Sequence, residues 1–89
     1  MKKETIKKRL EKQAINKSAA SYRLLTEWLN AEGNNVIRPC WPSGRGRFTT
    51  NLDYTQQLAN LLTMLKVQYI AGNDAARGGK CGNFIKIIL

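Results

Sequence analysis

Asp53 to Leu89, DYTQQLANLLTMLKVQYIAGNDAARGGKCGNFIKIIL, is the stretch whose reading decides the fold. Leu58, Leu61, Leu62 and Leu65 recur at helical spacing and line one side of a helix predicted to end near Lys66. Asp53, with Gln56 three residues on, has the form of a capping box at its start. After Lys66 the pattern changes to alternation. Val67 to Ala71 and Phe84 to Leu89 are β-branched and aromatic, and they are predicted to pair as antiparallel strands. The connection, GNDAARGGKCGN from Gly72 to Asn83, holds four glycines with Arg77 and Lys80 and is too long for a tight two-residue turn.

Working outward from this stretch, Val36 to Arg38 reads as a short strand, and Pro39 and Pro42, bracketing Cys40 and Trp41, argue against a regular central strand there. Ser43 to Arg47 is then a basic loop, and Phe48 to Thr50 re-enters an extended conformation, as a small hairpin or an ordered connection. Gly33, Asn34 and Asn35 form a helix stop, because both residue types tolerate left-handed geometry. Upstream, Tyr22, Leu25 and Leu29 make one helical stripe and Leu24, Trp28 and Ala31 another, so a helix running to Glu32, capped by Asn16 or Ser18, presents a wide face to the core. Tyr22 and Trp28 are core residues on this reading. Glu4 to Lys17 carries a narrower stripe of Ile6, Leu10 and Ala14. Residues 4 to 32 fit either one long helix or two. The fold class expected is α+β: N-terminal helices, one central helix and a C-terminal antiparallel β-hairpin.

With 89 residues, 43% of them hydrophobic, the chain accommodates a single small domain over residues 18–89, preceded by a basic helical segment over 1–17. A domain of this size buries only roughly 60 to 65% of its unfolded surface, so pairing as a homodimer would add stability. Lys and Arg number 15 against 6 Asp and Glu, a formal charge of +9, which points to an anionic partner. Residues 1–23 alone hold eight bases and two acids. No histidine is present, which removes imidazole acid/base catalysis, Cys-His and Ser-His nucleophile pairs and His-ligated zinc. The acids Glu4, Glu11, Glu27, Glu32, Asp53 and Asp74 are scattered, and Cys81, beside Lys80, has no histidine as base. The expectation is a chain that is not an enzyme, with no cofactor and no metal. Cys40 and Cys81 lack CxxC spacing and read as reduced thiols. The N-terminus lacks the apolar core of a secretion signal, and Phe84 to Leu89, interrupted by Lys86, is far from the roughly 18 to 20 residues of a membrane span. A cytoplasmic location follows as an expectation.

Three basic zones carry the candidate binding chemistry. The first is the hairpin loop, where Asn73, Asp74, Arg77, Gly78, Gly79, Lys80 and Gly82 offer backbone N–H groups and two cations to a phosphate; the plainer reading is a turn with solvated charges. A Walker A loop is not supported, since Asp74 takes its first glycine position, Cys81 replaces the hydroxyl residue and a strand follows. The second is Ser43-Gly44-Arg45-Gly46-Arg47, whose Arg-Gly-Arg core is similar to an AT-hook, with Arg45 and Arg47 placed for a narrow minor groove; two solvated loop arginines are the plainer reading. The third is the N-terminal segment, where Lys7, Lys8, Arg9 and Lys12, with Lys2, Lys3 and Lys17, can neutralise phosphates without regard to sequence, or simply keep the helix soluble. Its apolar stripe is small and lacks aromatics, so nucleic acid or an acidic protein ranks ahead of lipid. Trp41, beside the arginine loop, reads as a stacking or protein-contact residue.

The layout over residues 18–89, a leucine-rich helix followed by strand, basic loop and strand, resembles a winged helix-turn-helix. That resemblance implies that the helix from Asp53 to Lys66 enters the DNA major groove with Gln56, Gln57 and Asn60, and Thr63 beside them, on its outer faces. It also implies that the loop bearing Arg77, Gly78, Gly79 and Lys80 is a wing on the backbone or minor groove. The expected function is nucleic-acid binding, with DNA ahead of RNA and no membrane partner. The loop GNDAARGGKCGN is also similar in flavour to small phage or mobile-element proteins, which implies the alternative of a protein that binds and inhibits a host nucleic-acid-processing or defence protein.

Overall fold

The computed structural model describes residues 1–13, 16–33, 35–43, 50–74 and 82–89, with backbone alone described at 41–43, 50 and 51. In chain order the elements are α1 (Lys3–Lys12), α2 (Ala20–Asn30), β1 (Val36–Ile37), β2 (Cys40–Ser43), β3 (Thr50–Asp53), α3 (Thr55–Met64), β4 (Tyr69–Asn73) and β5 (Asn83–Ile87). The fold is α+β. A three-stranded antiparallel sheet has the order β1-β5-β4, and β2 and β3 form a separate antiparallel pair. The helix, short strand, helix and hairpin around the larger sheet are compatible with the expected winged layout. Between Gly33 and Asn51, where a simple helix-turn-helix has a short turn, the chain builds β1 and most of the β2–β3 hairpin.

The leucine pattern of α3 does what its spacing requires: Leu58, Leu61, Leu62 and Leu65 are buried. They meet Leu24, Leu25 and Trp28 of α2, Ile37 of β1 and Ile85 and Ile87 of β5 in one core. Tyr22 packs against that core, as its helical spacing with Trp28 predicts. Ile6 and Leu10 of α1 join the same cluster, so the N-terminal helix is part of the packed domain.

Several boundaries differ from the sequence expectation. Residues 3–30 form two helices, with α1 ending at Lys12 rather than Lys17 and α2 ending at Asn30 rather than Glu32. Neither Asn16 nor Ser18 caps α2, whose N-cap is Ala19. Instead Asn16 Oδ1 accepts from the Ser18 backbone N–H at 3.0 Å and its hydroxyl at 2.6 Å, and the Asn16 carbonyl accepts from Ala19 N–H at 3.0 Å. Such self-closing turns are what short polar side chains favour. Ala14, the last residue of the expected α1 stripe, lies outside the described residues.

The expected capping box is also corrected. Tyr54 holds the N-cap position of α3, and Asp53 is the last residue of β3, its Oδ1 accepting from the Thr55 N–H at 2.9 Å and from the Thr55 hydroxyl. Gln56 turns forward, Nε2 donating to Asn60 Oδ1 at 2.9 Å, rather than back to residue 53. At its other end α3 closes with a Schellman motif: Lys66 N–H donates to the Thr63 carbonyl at 3.0 Å and Val67 N–H to the Leu62 carbonyl at 2.9 Å. Lys66 takes the left-handed position of that motif at φ +58°. Val67 is therefore spent on helix termination, and β4 begins at Tyr69.

Proline did not prevent pairing at Cys40–Ser43, which runs antiparallel to Thr50–Asp53 with Cys40 opposite Asp53 and Pro42 opposite Asn51. A two-stranded ladder leaves each strand one unpaired side, and there a residue without an N–H is tolerated. The β4–β5 hairpin is shifted toward its loop relative to the expected Val67 to Ala71 and Phe84 to Leu89, its last pair being Asn73 opposite Asn83, with Asp74 N–H donating to the Gly82 carbonyl at 2.8 Å. A Cβ on Gly82 would stand 2.3 Å from the Asp74 carbonyl oxygen, so glycine is required for the two backbones to approach here.

Candidate nucleic-acid interface

Burying the leucine side of α3 leaves Gln57, Asn60 and Met64 exposed along one stripe, spaced three and four residues apart, with Gln56 beside it. The three amide residues stand in the first two turns, the end from which a major-groove helix contacts bases. The Gln56–Asn60 hydrogen bond couples two of them. Thr63 is exposed beside them, its hydroxyl donating to the Ala59 carbonyl at 2.9 Å and so left as an acceptor.

The N-terminal end of α3 is tied to the stem of the β4–β5 hairpin. Asn73 Nδ2 donates to Asn83 Oδ1 at 2.6 Å, and Asn83 Nδ2 donates to Asp53 Oδ2 at 2.7 Å, while the other Asp53 oxygen holds Thr55. One carboxylate thus joins β3, the first turn of α3 and the root of the loop that follows Asp74. By its place in the sequence Asn73 belongs to the loop expected to cradle a phosphate. Its side chain instead serves the stem, and the Asp74 N–H closes the ladder. Nothing in a linear motif signals this network, since Asp53 and Asn83 are thirty residues apart.

The C-terminal end of α3 meets α1. Arg9 Nη1 donates to the Leu65 carbonyl at 3.0 Å and the Lys66 carbonyl at 3.2 Å, supplying acceptors at a helix end with a cationic donor. Arg9 is therefore half-buried and committed to positioning, whereas Lys7, Lys8 and Lys12 are exposed. A cleft of about 330 Å³ lies between the helices, lined by Arg9, Lys12, Gln13, Met64, Leu65 and Lys66. It holds three cations and no acid, and Met64 makes it continuous with the α3 stripe. Lys3 makes a second anchor: its ammonium donates to the Trp28 carbonyl at 3.1 Å and the Ala31 carbonyl at 2.8 Å and lies 4.5 Å from the centre of the Trp28 ring. Two exposed acids, Glu27 of α2 and Glu32 just beyond its end, line a different groove, against β1, to which α3 contributes no residue.

Arg45 and Arg47, and Arg77, Gly78, Gly79 and Lys80, lie outside the described residues, as do Cys81 and the side chain of Trp41. Their flanks are described: residues 44–49 connect Ser43 of β2 to Thr50 of β3, and residues 75–81 connect Asp74 to Gly82. Cys40 is a half-buried thiol. Among the described residues no three Cys, Asp or Glu side chains cluster as a metal site, and no helix is long and apolar enough to cross a membrane. Comparison with protein-family models, with curated proteins and with solved structures found no match.

Proposed function

We propose that this protein binds duplex DNA, with α3 approaching bases in the major groove and the β4–β5 loop reaching the flanking backbone as a wing. One observation carries this reading: the exposed amide stripe of α3 runs from the hairpin stem at its N-terminal end to a three-cation cleft at its C-terminal end. The span from Gln56 to Met64 is about 12 Å at the helical rise. That length fits a helix laid in a major groove, with phosphates within reach of Lys12 and Lys66. The Gln56–Asn60 bond leaves a carbonyl oxygen on Gln56 and an amide N–H on Asn60, the acceptor and donor that an adenine edge requires. Lys7, Lys8 and Lys12 supply sequence-independent attraction, joined in the proposal by Arg45, Arg47, Arg77 and Lys80.

Fluorescence anisotropy of the full chain against a labelled duplex pool, across a salt series, tests the proposal. Micromolar or tighter binding with a linear log-log salt slope is expected. The double variant Gln56→Ala/Asn60→Ala should lose about 5- to 150-fold on the preferred sequence, in line with about 1–3 kcal/mol for a base contact, while keeping the slope. Replacing Lys7, Lys8 and Lys12 by Gln should flatten the slope instead. No duplex binding at low salt overturns the proposal. Salt-resistant capture of an acidic protein in its place would support the inhibitor reading.

A further inference from the structure

The sheet β1-β5-β4 has β4 at one edge, and the hydrogen-bond parity of the hairpin fixes which backbone groups of that strand face outward. Asp74 N–H donates to the Gly82 carbonyl at 2.8 Å and Ile88 N–H to the Gln68 carbonyl at 3.0 Å, so Ile70 and Gly72, in step with them, turn their N–H and C=O groups toward β5. Tyr69 and Ala71 turn theirs away from it. Among the described residues no backbone group meets them. Ala71 is exposed, and Ile70, at 56%, is the most exposed large apolar side chain of the described residues. Strand edges are ordinarily blunted by shortness, proline or charge. β1, at the opposite edge of the same sheet, is two residues long, and β2 of the separate pair carries Pro42. β4 runs Tyr-Ile-Ala-Gly-Asn over five residues with none of these devices.

We infer that this edge is a dimerisation surface, at which β4 of a second copy pairs antiparallel about a two-fold axis at Ile70 and joins the two sheets into one. In that register Tyr69 of each copy exchanges both backbone bonds with Ala71 of the other, so the open groups satisfy one another. The two Ile70 side chains stand opposite each other at a non-hydrogen-bonded position, where cross-strand neighbours are closest, and cover each other. A second copy brings a strand that is already extended, so nothing has to be ordered on docking, a cost that a flexible peptide of another protein would carry. The charge of +9 on each copy opposes association, but β4 itself is uncharged. Lys86, opposite Ile70 on β5, stands three strand spacings from its counterpart, about 14 Å, against a Debye length of about 8 Å at physiological salt. Antiparallel order also starts the two segments that follow Asp74, with Arg77 and Lys80, from opposite ends of the ladder, whereas parallel order would start them side by side. A pair of five-residue strands is a small interface beside the roughly 1,200 Å² of a stable one, so the dimer is expected to dissociate at about 10–100 µM. The edge is separate from the amide stripe of α3, and the inference stands whether or not that stripe binds DNA.

Sedimentation equilibrium of the full chain up to about 500 µM, at low and at high salt, tests the inference. A monomer–dimer equilibrium is expected that tightens as salt rises, because screening relieves the repulsion between two chains of charge +9. Association bridged by a carried-over polyanion would weaken with salt instead. Ile70→Lys sets like charges opposite each other, and Ala71→Pro deletes an outward N–H that the fold itself does not use; each is expected to weaken the dimer about tenfold or more. Leu52→Lys adds the same charge at an exposed apolar residue of β3 and should dimerise as the parent does. Circular dichroism and a thermal melt confirm that the variants are folded, and Ile70→Lys carries the test alone if Ala71→Pro is not. Amide exchange reads the register: Tyr69 and Ala71 should exchange more slowly at the higher protein concentration, while Ile70 and Gly72, already bonded to β5, stay as they are. A parent chain that is monomeric at about 500 µM in high salt overturns the inference, since an edge of this size should be filled at that concentration. So does association that weakens with salt, an equal loss in Leu52→Lys, or exchange at Tyr69 and Ala71 that ignores concentration.

Discussion

Lys66 holds a position that glycine ordinarily takes. At φ +58° it supplies the left-handed turn that lets the Thr63 and Leu62 carbonyls accept from the N–H groups of residues 66 and 67, and a side chain there costs about 1 kcal/mol against glycine. Lys66→Gly is therefore expected to raise stability by roughly 0.5–1 kcal/mol in urea unfolding, with unchanged m-value. A loss of stability would show that the lysine stem is worth more than the strain. Because Lys66 also lines the cationic cleft, the same variant should bind duplex DNA more weakly, so stability and affinity should move in opposite directions. The sequence marked the end of this helix correctly from Lys66 and the switch to alternation after it. It did not mark the left-handed residue, since lysine carries no such signal.

At the scale of elements, α1 is fastened by two cations to the ends of two other helices, Lys3 at the C-terminal end of α2 and Arg9 at the cap residues Leu65 and Lys66 that follow α3. Ile6 and Leu10 bury its apolar stripe in the core, and these cation–carbonyl bonds fix its two ends. Arg9→Met keeps the apolar stem and removes the donors; it is expected to destabilise the domain by about 1–3 kcal/mol, the range for hydrogen bonds to a charged group. Amide hydrogen exchange should quicken over residues 62–67 more than over α2. Uniform exchange across the two helices would mean that Arg9 does not close α3. Charge in this segment was legible in the sequence, but its use was not: Arg9 and Lys8 look alike in a basic run, and only packing shows that one meets carbonyls and the other solvent.

For the whole molecule, one core joins all three helices to the larger sheet, with Leu25, Leu58, Leu62, Ile85 and Ile87 completely buried. Leu62→Ala is expected to lose about 2–5 kcal/mol, a large share of the roughly 5–13 kcal/mol available to a domain of this length. The check is a single cooperative melt displaced to much lower temperature, with helix and sheet signals lost together; separate transitions would contradict one shared core. The sequence by itself determined the class of the fold, the buried side of α3, the core placement of Tyr22 and Trp28, and the C-terminal hairpin, because periodicity records which side of each element avoids water. It also determined the excess of positive charge and the polar amides on the outer side of α3. Only the tertiary structure decided the joining of Asp53 to Asn83 and Asn73, the closure of α3 by Arg9, and the pairing of a proline-bearing segment with Thr50–Asp53. Each of these depends on hydrogen bonds or faces shared by residues far apart in the chain, and local pattern carries no record of which distant donor will meet which acceptor.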